Sequence, residues 1–219
     1  MFPVLYLLSA FSMFDQATDR FMVDVGECQP AYSQHVARAK TAVWVDPVTQ
    51  VQAYASVEMR PGKTEKDGCN VVYELKIAKL HVQFETMKLF EHQNETGEIS
   101  GVTILGSSPD HSKIAVDFWW AEGDYDGIRP VIYDVQSGKA QFRDLEDTLY
   151  KKLPSCDYTQ EYIGVTDRGY AVLHVPKSDY VDSEECKDRG FWLFDLKTGH
   201  LWQVEKNKIP NSIAERAIK

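Results

Sequence analysis

The stretch from residue 101 to residue 145 constrains the fold more than any other part of the chain. It contains four short segments rich in apolar residues, and each has the length and composition of a β-strand. The segments are residues 101–107, 113–120, 129–135 and 139–145. Clusters of Ser, Pro, Asp and Gly separate them, with an acidic loop at 121–127. Connections as short as these join neighbouring antiparallel strands, so the stretch predicts a four-stranded antiparallel meander.

One part of this meander recurs later in the chain. The eight residues from Ile132 to Lys139 match the eight from Leu193 to His200 without a gap, and both begin apolar, aromatic, Asp, apolar, any residue, Ser or Thr, Gly. In a tight hairpin, the Asp and Ser or Thr side chains bind free backbone amides, and the Gly adopts a positive φ. Upstream, the turn at Asp110 corresponds to the turn at Asp167, and less clearly to the turn at Asp46. The repeat unit therefore spans roughly 60 residues.

The other segments between residues 41 and 205 follow the same order of strands and turns. Further strands are predicted at residues 41–45, 50–59, 69–80, 161–166, 170–175, 190–196 and 200–205. A polar linker is predicted at 92–98, and the segment before it continues as strand with some helical character towards its end. We therefore expect one all-β domain at 41–205, an irregular region at 15–40 and a polar tail at 206–219.

Two hairpins carry a resemblance to a known fold. The segment from Ser108 to Ala115 resembles the first hairpin of a β-propeller blade of the TolB/WD40-like kind, and Tyr133 to Lys139 resembles the hairpin between the third and fourth strands of such a blade. The resemblance covers about three blades between residues 41 and 205 and concerns only the fold, because propellers host unrelated activities.

Three blades are fewer than the four to eight with which propellers usually close a ring. The expected fold class is therefore all-β, with repeated four-stranded antiparallel meanders arranged like a propeller in an incomplete or open ring. A β-sandwich of similar meanders is the alternative. A homo-oligomer that completes the sheet or the ring is a further hypothesis.

Charge and the N-terminal segment limit the classes of partner. The chain carries 24 Lys and Arg against 33 Asp and Glu, a formal net charge of −9, which opposes non-specific binding to nucleic acid or anionic lipid. The apolar segment at residues 1–14 is shorter than the roughly 20 residues that span a bilayer. It fits the apolar core of a secretory signal with a small-x-small cleavage site at residues 10–12, or a buried N-terminal strand or helix.

The four cysteines are Cys28, Cys69, Cys156 and Cys186. Their even number, and their spacing outside Cys-x-x-Cys or zinc patterns, favour two disulfides and a secreted or periplasmic location. Sequential pairing, Cys28 with Cys69 and Cys156 with Cys186, keeps each loop local. Four unpaired thiols in a cytoplasmic protein are the alternative.

The acidic loop offers a candidate metal site. Glu122, Asp124 and Asp126 place carboxylates at alternate positions before Gly127, as at the start of an oxygen-rich calcium loop. The twelfth position of such a loop is occupied by Tyr133 where a bidentate Glu is required. A solvated hairpin loop is therefore the competing interpretation, and Ca²⁺ is the only cofactor that the sequence brings into question.

Aromatic residues beside this loop offer a candidate binding surface. Trp119, Trp120 and Tyr125 could form a platform for a sugar or a protein partner. Adjacent residues of a strand face opposite sides of the sheet, so we expect one tryptophan in the core and the other partly exposed. Packing of both tryptophans between stacked sheets is the alternative.

The chain lacks the common motifs of catalysis. It contains no Gly-x-Ser-x-Gly elbow, no phosphate-binding loop and no zinc-protease helix, so no catalytic residue is predicted. The histidines are scattered singly, at His35, His81, His92, His111, His174 and His200. We therefore expect a non-catalytic binding or scaffolding module with a protein or glycan partner. A propeller-type hydrolase or lyase with clustered carboxylates is the alternative.

Overall fold

The computed structural model describes residues 21–23, 37–61, 69–78, 83–94, 99–122, 125–143, 145, 148, 152, 160–176 and 188–218. Its strands are β1 (Phe21–Val23), β2 (Ala37–Lys40), β3 (Trp44–Val45), β4 (Gln52–Pro61), β5 (Cys69–Ala78), β6 (Glu85–Asn94), β7 (Ile99–Ser107), β8 (Lys113–Glu122), β9 (Tyr125–Asp134), β10 (Lys139–Phe142), β11 (Glu161–Val165), β12 (Ala171–Val175), β13 (Gly190–Asp195) and β14 (His200–Val204). A short helix, α1 (Asn211–Ala214), lies between 3₁₀ turns at Lys206–Lys208 and Glu215–Ile218. Within the described ranges, no helix has the length and hydropathy to cross a bilayer.

The described strands form three antiparallel sheets, and each is a meander of four strand positions. Sheet 1 has the order β2-β4-β5-β6, and β3 pairs with β4 beside β2, so β2 and β3 share the first position. Sheet 2 has the order β7-β8-β9-β10, and β1 pairs with the free edge of β7. Sheet 3 has the order β11-β12-β13-β14. The predicted all-β class and its repeated four-stranded meanders are therefore confirmed.

Sheet 2 lies between the other two sheets. One apolar core lies between sheets 1 and 2 and includes Leu75 and Phe118, while a second lies between sheets 2 and 3 and includes Ile132 and Leu173. Because sheet 2 is covered on both faces, every residue of β8 from Ile114 to Phe118 is buried. A strand buried on both faces loses the alternation of apolar and polar residues, which explains why four of the five residues from Ile114 to Phe118 are apolar.

The two outer faces of this stack differ in character. On sheet 3, the C-terminal segment covers the outer face, where Ile213 packs near Val172 in a third apolar cluster. On sheet 1, the outer face carries charged side chains, and Glu58 forms ion pairs with both Arg38 and Arg60. Terminal units of stacked repeats need a covered or polar outer face to stay soluble.

Three predicted boundaries are corrected by the structure. β8 runs to Glu122 and β9 begins at Tyr125, so most of the loop predicted at 121–127 is strand. β6 continues to Asn94, so the linker predicted at 92–98 begins later. β6 lies at the edge of sheet 1, where polar residues are tolerated because one strand edge is solvated. The region predicted to be irregular at 15–40 contains β1 and β2, whose backbones pair with β7 and β4.

Candidate functional site

The first turn of each sheet lies at one end of the stack, and neighbouring turns contact each other. His111 Nδ1 lies 2.8 Å from Asp46 Oδ2, which joins the turn of sheet 2 to the turn of sheet 1. The backbone amide of Asp110 donates to Asp167 Oδ1 over 2.9 Å, which joins the turn of sheet 2 to the turn of sheet 3. We call this end of the stack the turn end. It brings together polar side chains from all three sheets.

Asp46 holds the turn of sheet 1 in place. Its Oδ1 atom accepts hydrogen bonds from the backbone amides of Val48 (3.0 Å) and Thr49 (2.7 Å) and from the Thr49 hydroxyl (2.9 Å). The residue is only 1% exposed, and burial by itself would raise its pKa. The hydrogen bonds from Thr49, His111 and Ser107 outweigh burial and hold the pKa of Asp46 well below its ordinary value of 3.8. Asp46 is therefore an ionised structural residue.

The contact of Asp46 with His111 and Ser107 contains the three residue types of a serine-hydrolase triad. In such a triad, the Asp and the Ser contact opposite nitrogens of the imidazole ring. Here Asp46 Oδ2 lies 2.8 Å from His111 Nδ1, and Ser107 Oγ lies 3.1 Å from the same nitrogen. Because both oxygens share one nitrogen, the histidine cannot relay a proton from Ser107 in this geometry. The three residues join two turns.

The turns of sheets 2 and 3 have equivalent hydrogen bonds. Ser108 Oγ accepts from the backbone amide of Lys113 (3.1 Å), and Thr166 Oγ1 accepts from the backbone amide of Tyr170 (3.1 Å). The predicted correspondence of the two turns therefore holds, with Ser108 equivalent to Thr166. Two residues further on, Arg168 in sheet 3 occupies the place that Asp110 has in sheet 2.

Asp110 is engaged within its own turn. Its Oδ1 atom accepts hydrogen bonds from the hydroxyls of Ser108 (2.6 Å) and Ser112 (2.8 Å) and from the backbone amide of Ser112 (3.0 Å). Burial would raise its pKa, but these bonds and the contact with Asp167 hold the pKa of Asp110 well below its ordinary value. Like Asp46, it is a structural carboxylate.

The repeated hairpin motif forms as predicted. The backbone amide of Ser137 donates to Asp134 Oδ1 over 2.7 Å, and Gly138 has a φ of 68°. In sheet 3, Asp195 accepts from the backbone amide of Lys197 (2.9 Å) and from the Thr198 hydroxyl (2.8 Å). The bond from the Ser137 amide lowers the pKa of Asp134. Burial would raise the pKa of Asp195, but its turn hydrogen bonds lower it overall.

A cleft of about 350 Å³ separates sheets 2 and 3 at the turn end. We call it the cationic cleft, and its lining residues are Lys113, Ile132, Asp134, Gln141, Arg168, Gly169, Tyr170, Asp195 and Lys197. Lys113 Nζ lies 3.5 Å from Asp134 Oδ2. Among the described residues, neither Arg168 nor Lys197 forms an ion pair. The cleft therefore contains two carboxylates held by their turns and two exposed cations, one of which, Lys197, interacts electrostatically with Asp195.

Two glycines of sheet 3 allow side chains of sheet 2 to approach closely. Gly169 and Gly199 have φ values of 81° and 73°, a region that favours glycine. A Cβ atom at Gly169 would lie 3.1 Å from Lys113 Cε, and one at Gly199 would overlap the Arg143 guanidinium. The glycines thus permit both the turn conformation and the close contact between the sheets.

Aromatic rings lie beside the cationic cleft. The rings of Tyr170 and Trp202 meet edge to face, with centroids 5.0 Å apart, and His200 stacks on Trp202 at the same distance. Tyr170 also lines the cleft, so it connects the aromatic cluster to the cations. This cluster was not among the aromatic residues that the sequence pointed to.

The predicted aromatic pair, Trp119 and Trp120, lies on opposite faces of β8. The Trp119 indole covers Gly101 and the Trp120 indole covers Gly127, which are their cross-strand partners. Trp120 is 9% exposed, and the Arg129 guanidinium lies 5.3 Å from its ring centroid. Its burial does not support an exposed aromatic patch centred on this ring. A binding role for Trp119, Trp120 and Tyr125 stays a prediction.

The proposed calcium ligands are described only by their backbone. Glu122 pairs with Tyr125 and Ala121 with Asp126, so the two strands continue to the hairpin tip. The side chains of Glu122 and Asp126, and all of Asp124, lie outside the described residues. Within the described part of the chain, no group of three or more His, Cys, Asp or Glu side chains is placed to hold a metal ion. Calcium binding at this hairpin stays a prediction.

Cys69 begins β5 and is 5% exposed. The other three cysteines, Cys28, Cys156 and Cys186, lie outside the described residues. The sequential pairing therefore stays a prediction.

Comparison with known proteins does not identify the chain. No protein-family model, no curated protein and no solved structure matches it. The functional interpretation therefore depends on the cationic cleft itself. Sequence reasoning missed Lys113, Arg168, Tyr170 and Lys197 as site residues. The available signal was a difference between the repeats, since Arg168 stands where the equivalent turn has an aspartate.

Proposed function

We propose that this protein is a non-catalytic binding module and that part of a protein or glycan partner enters the cationic cleft. The proposal depends on a difference between the two kinds of charge in the cleft: the carboxylates are held by their own turns, whereas two of the cations are exposed. Asp134 and Asp195 accept hydrogen bonds from their own turns, whereas Arg168 is without an ion pair among the described residues and Lys197 is attracted to Asp195 but is exposed. Such an arrangement favours binding of an acidic group.

A propeller-type hydrolase or lyase is the competing function, because two carboxylates line one cleft. Glycoside hydrolysis needs one carboxylic acid that stays protonated and therefore has a raised pKa. The pKa values of Asp134 and Asp195 are both lowered by their turn hydrogen bonds. Two ionised carboxylates cannot provide a general acid at neutral pH, so the electrostatics support binding over hydrolysis.

The proposal also includes a cellular location and a fold family, and a different observation supports each. We propose that Cys69 forms a disulfide, and this supports a secreted or periplasmic location, since such bonds persist in oxidising compartments. The three stacked meanders, with equivalent turns at one end, support the resemblance to propeller blades in an open arrangement. We propose both as properties of this chain.

The test measures binding and turnover on the same samples. The protein is incubated with neutral and acidic oligosaccharides and with an acidic peptide, and each probe is followed by calorimetry and by mass spectrometry. We expect reversible binding of at least one probe and an unchanged probe mass after prolonged incubation. Cleavage of a probe that is lost in the double variant Asp134→Asn, Asp195→Asn would overturn the proposal in favour of a hydrolase or lyase, and the product masses show whether water was added.

A further inference from the structure

Resting on the proposed function, we infer that the ligand of the cationic cleft is an acidic sugar residue of a glycan. The acidic group is a carboxylate or a sulfate, which share their charge and their oxygen acceptors. Arg168 and Lys197 hold this group, and Tyr170 and Gln141 contact the sugar ring.

Arg168 provides the strongest part of the argument. The equivalent residue in sheet 2, Asp110, is needed by its turn, where Ser108 and Ser112 bind it. The turn of sheet 3 is held instead by the Thr166 hydroxyl and by Gly169 at positive φ, so its geometry makes no use of the Arg168 side chain. An exposed guanidinium at the mouth of a cleft offers two parallel N–H donors to a carboxylate or sulfate.

The two lysines of the cleft, Lys197 and Lys113, differ in their partners. Lys197 extends from the repeated hairpin that also carries Asp195, and it adds a second exposed cation. Lys113 is directed to Asp134, with 3.5 Å between Nζ and Oδ2, so these two charges offset each other. Asp195 is occupied by the Lys197 amide and the Thr198 hydroxyl. Lys197 is also attracted to Asp195, so Arg168 is the first partner of an incoming anion and Lys197 the second.

The size and lining of the cleft favour a sugar over a protein surface. A volume of about 350 Å³ lies at the lower end of the range for small-molecule sites, and it suits a single ring with its substituents. The Tyr170 ring, backed edge to face by Trp202, offers an apolar surface to the C–H groups of a sugar. The Gln141 amide supplies both a donor and an acceptor for hydroxyl groups.

The overall charge of the protein determines how this binding depends on salt. A net charge of −9 gives no long-range attraction for an anion, so the attraction is limited to the two local cations. Exposed charges are screened over about 8 Å at physiological ionic strength. The affinity for an acidic sugar should therefore fall as salt is added, while the affinity for a neutral sugar should not.

Calorimetric titration with defined probes tests the inference. The probes are trigalacturonate, a sulfated galactose trisaccharide, the neutral galactose trisaccharide and a hexaglutamate peptide, and the first two distinguish carboxylate from sulfate. We expect an acidic trisaccharide to bind at least about tenfold more tightly than the neutral one, the effect of one charged hydrogen-bonded contact. Arg168→Glu and Lys197→Glu should each remove this preference, and Arg168→Gln should weaken it.

A matched control lies outside the cleft. Lys208 is an exposed lysine of the C-terminal segment, so Lys208→Glu changes the net charge equally without altering the cleft. Its binding should equal that of the wild type. Because Arg168 and Lys197 are exposed, thermal denaturation of their variants should match the wild type as well.

Other results of the titrations would show whether the acidic-sugar inference fails alone or together with the proposed binding function. Equal binding of neutral and acidic trisaccharides, still sensitive to changes in the cleft, would overturn the acidic-sugar inference and leave a binding module. Tighter binding of hexaglutamate than of either acidic sugar would overturn it in favour of an acidic protein partner. Binding that Arg168→Glu and Lys197→Glu leave unchanged would remove the cleft as the site and would overturn both.

Discussion

The glycines of the two repeated hairpins offer a matched pair of substitutions. Gly138 and Gly199 have φ values of 68° and 73°, so an alanine at either position takes a left-handed conformation that costs about 1–2 kcal/mol. A Cβ atom at Gly138 would meet only the Tyr133 hydroxyl, at an ordinary distance of 3.8 Å, whereas one at Gly199 would overlap the Arg143 guanidinium. Overpacking of this kind adds about 1–3 kcal/mol, at the low end where the displaced group is flexible.

We therefore expect Gly138→Ala to lower the free energy of unfolding by about 1 kcal/mol and Gly199→Ala to lower it by about 2 kcal/mol. Urea denaturation followed by tryptophan fluorescence measures both values. In an Arg143→Ala background, the cost of Gly199→Ala should fall to that of Gly138→Ala, a coupling of about 1 kcal/mol. Equal costs in the wild-type background, or an unchanged cost after Arg143→Ala, would refute the close approach of sheets 2 and 3.

Two further predictions concern the turn end and the C-terminal segment. Asp46→Asn should lower the free energy of unfolding by about 1–3 kcal/mol at neutral pH, because it removes a hydrogen-bonded charge. The pKa of Asp46 is lower in the folded protein than its ordinary 3.8. The stability advantage of the wild type over Asp46→Asn is therefore complete above pH 3.8 and is lost as the pH falls through the pKa of the folded protein. Urea denaturation across pH 2–7 checks this, and an advantage that grows on acidification would contradict it. Ile213→Ala should cost about 2–5 kcal/mol because the side chain is fully buried on sheet 3, whereas Ser212→Ala at the exposed neighbour should stay within about 0.5 kcal/mol by the same assay. Equal costs at the two positions would contradict the packing of this segment.

The local parts of the fold could be predicted from sequence because their interactions are short in range. The hairpin from Asp134 to Gly138 depends on a carboxylate that binds an amide three residues later and on one glycine. The same holds for the hairpin that begins at Asp195. The alternating direction of side chains along a strand likewise predicted that Trp119 and Trp120 face opposite sides of sheet 2.

The cationic cleft could not be predicted in this way, because it depends on the packing of two sheets. Lys113 pairs with Asp134 within sheet 2, but it meets Gly169 only when sheet 3 lies against sheet 2. No local pattern indicates that Arg168 faces this gap. The contact of Trp120 with Arg129 likewise joins residues of two neighbouring strands, which no local pattern indicates. Side chains at an interface between repeats are recognisable in sequence mainly where the repeats differ.

A chemical-shift map tests most directly whether ligands bind in the cationic cleft. Trigalacturonate is titrated into ¹⁵N-labelled protein, and shifts are followed for backbone amides and for arginine side chains. The account predicts the largest shifts at the Arg168 side chain and at the amides of Tyr170 and Lys197. Largest shifts in the hairpin at residues 119–127, with Arg168 unaffected, would contradict the account and return the site to the stretch that the sequence first indicated.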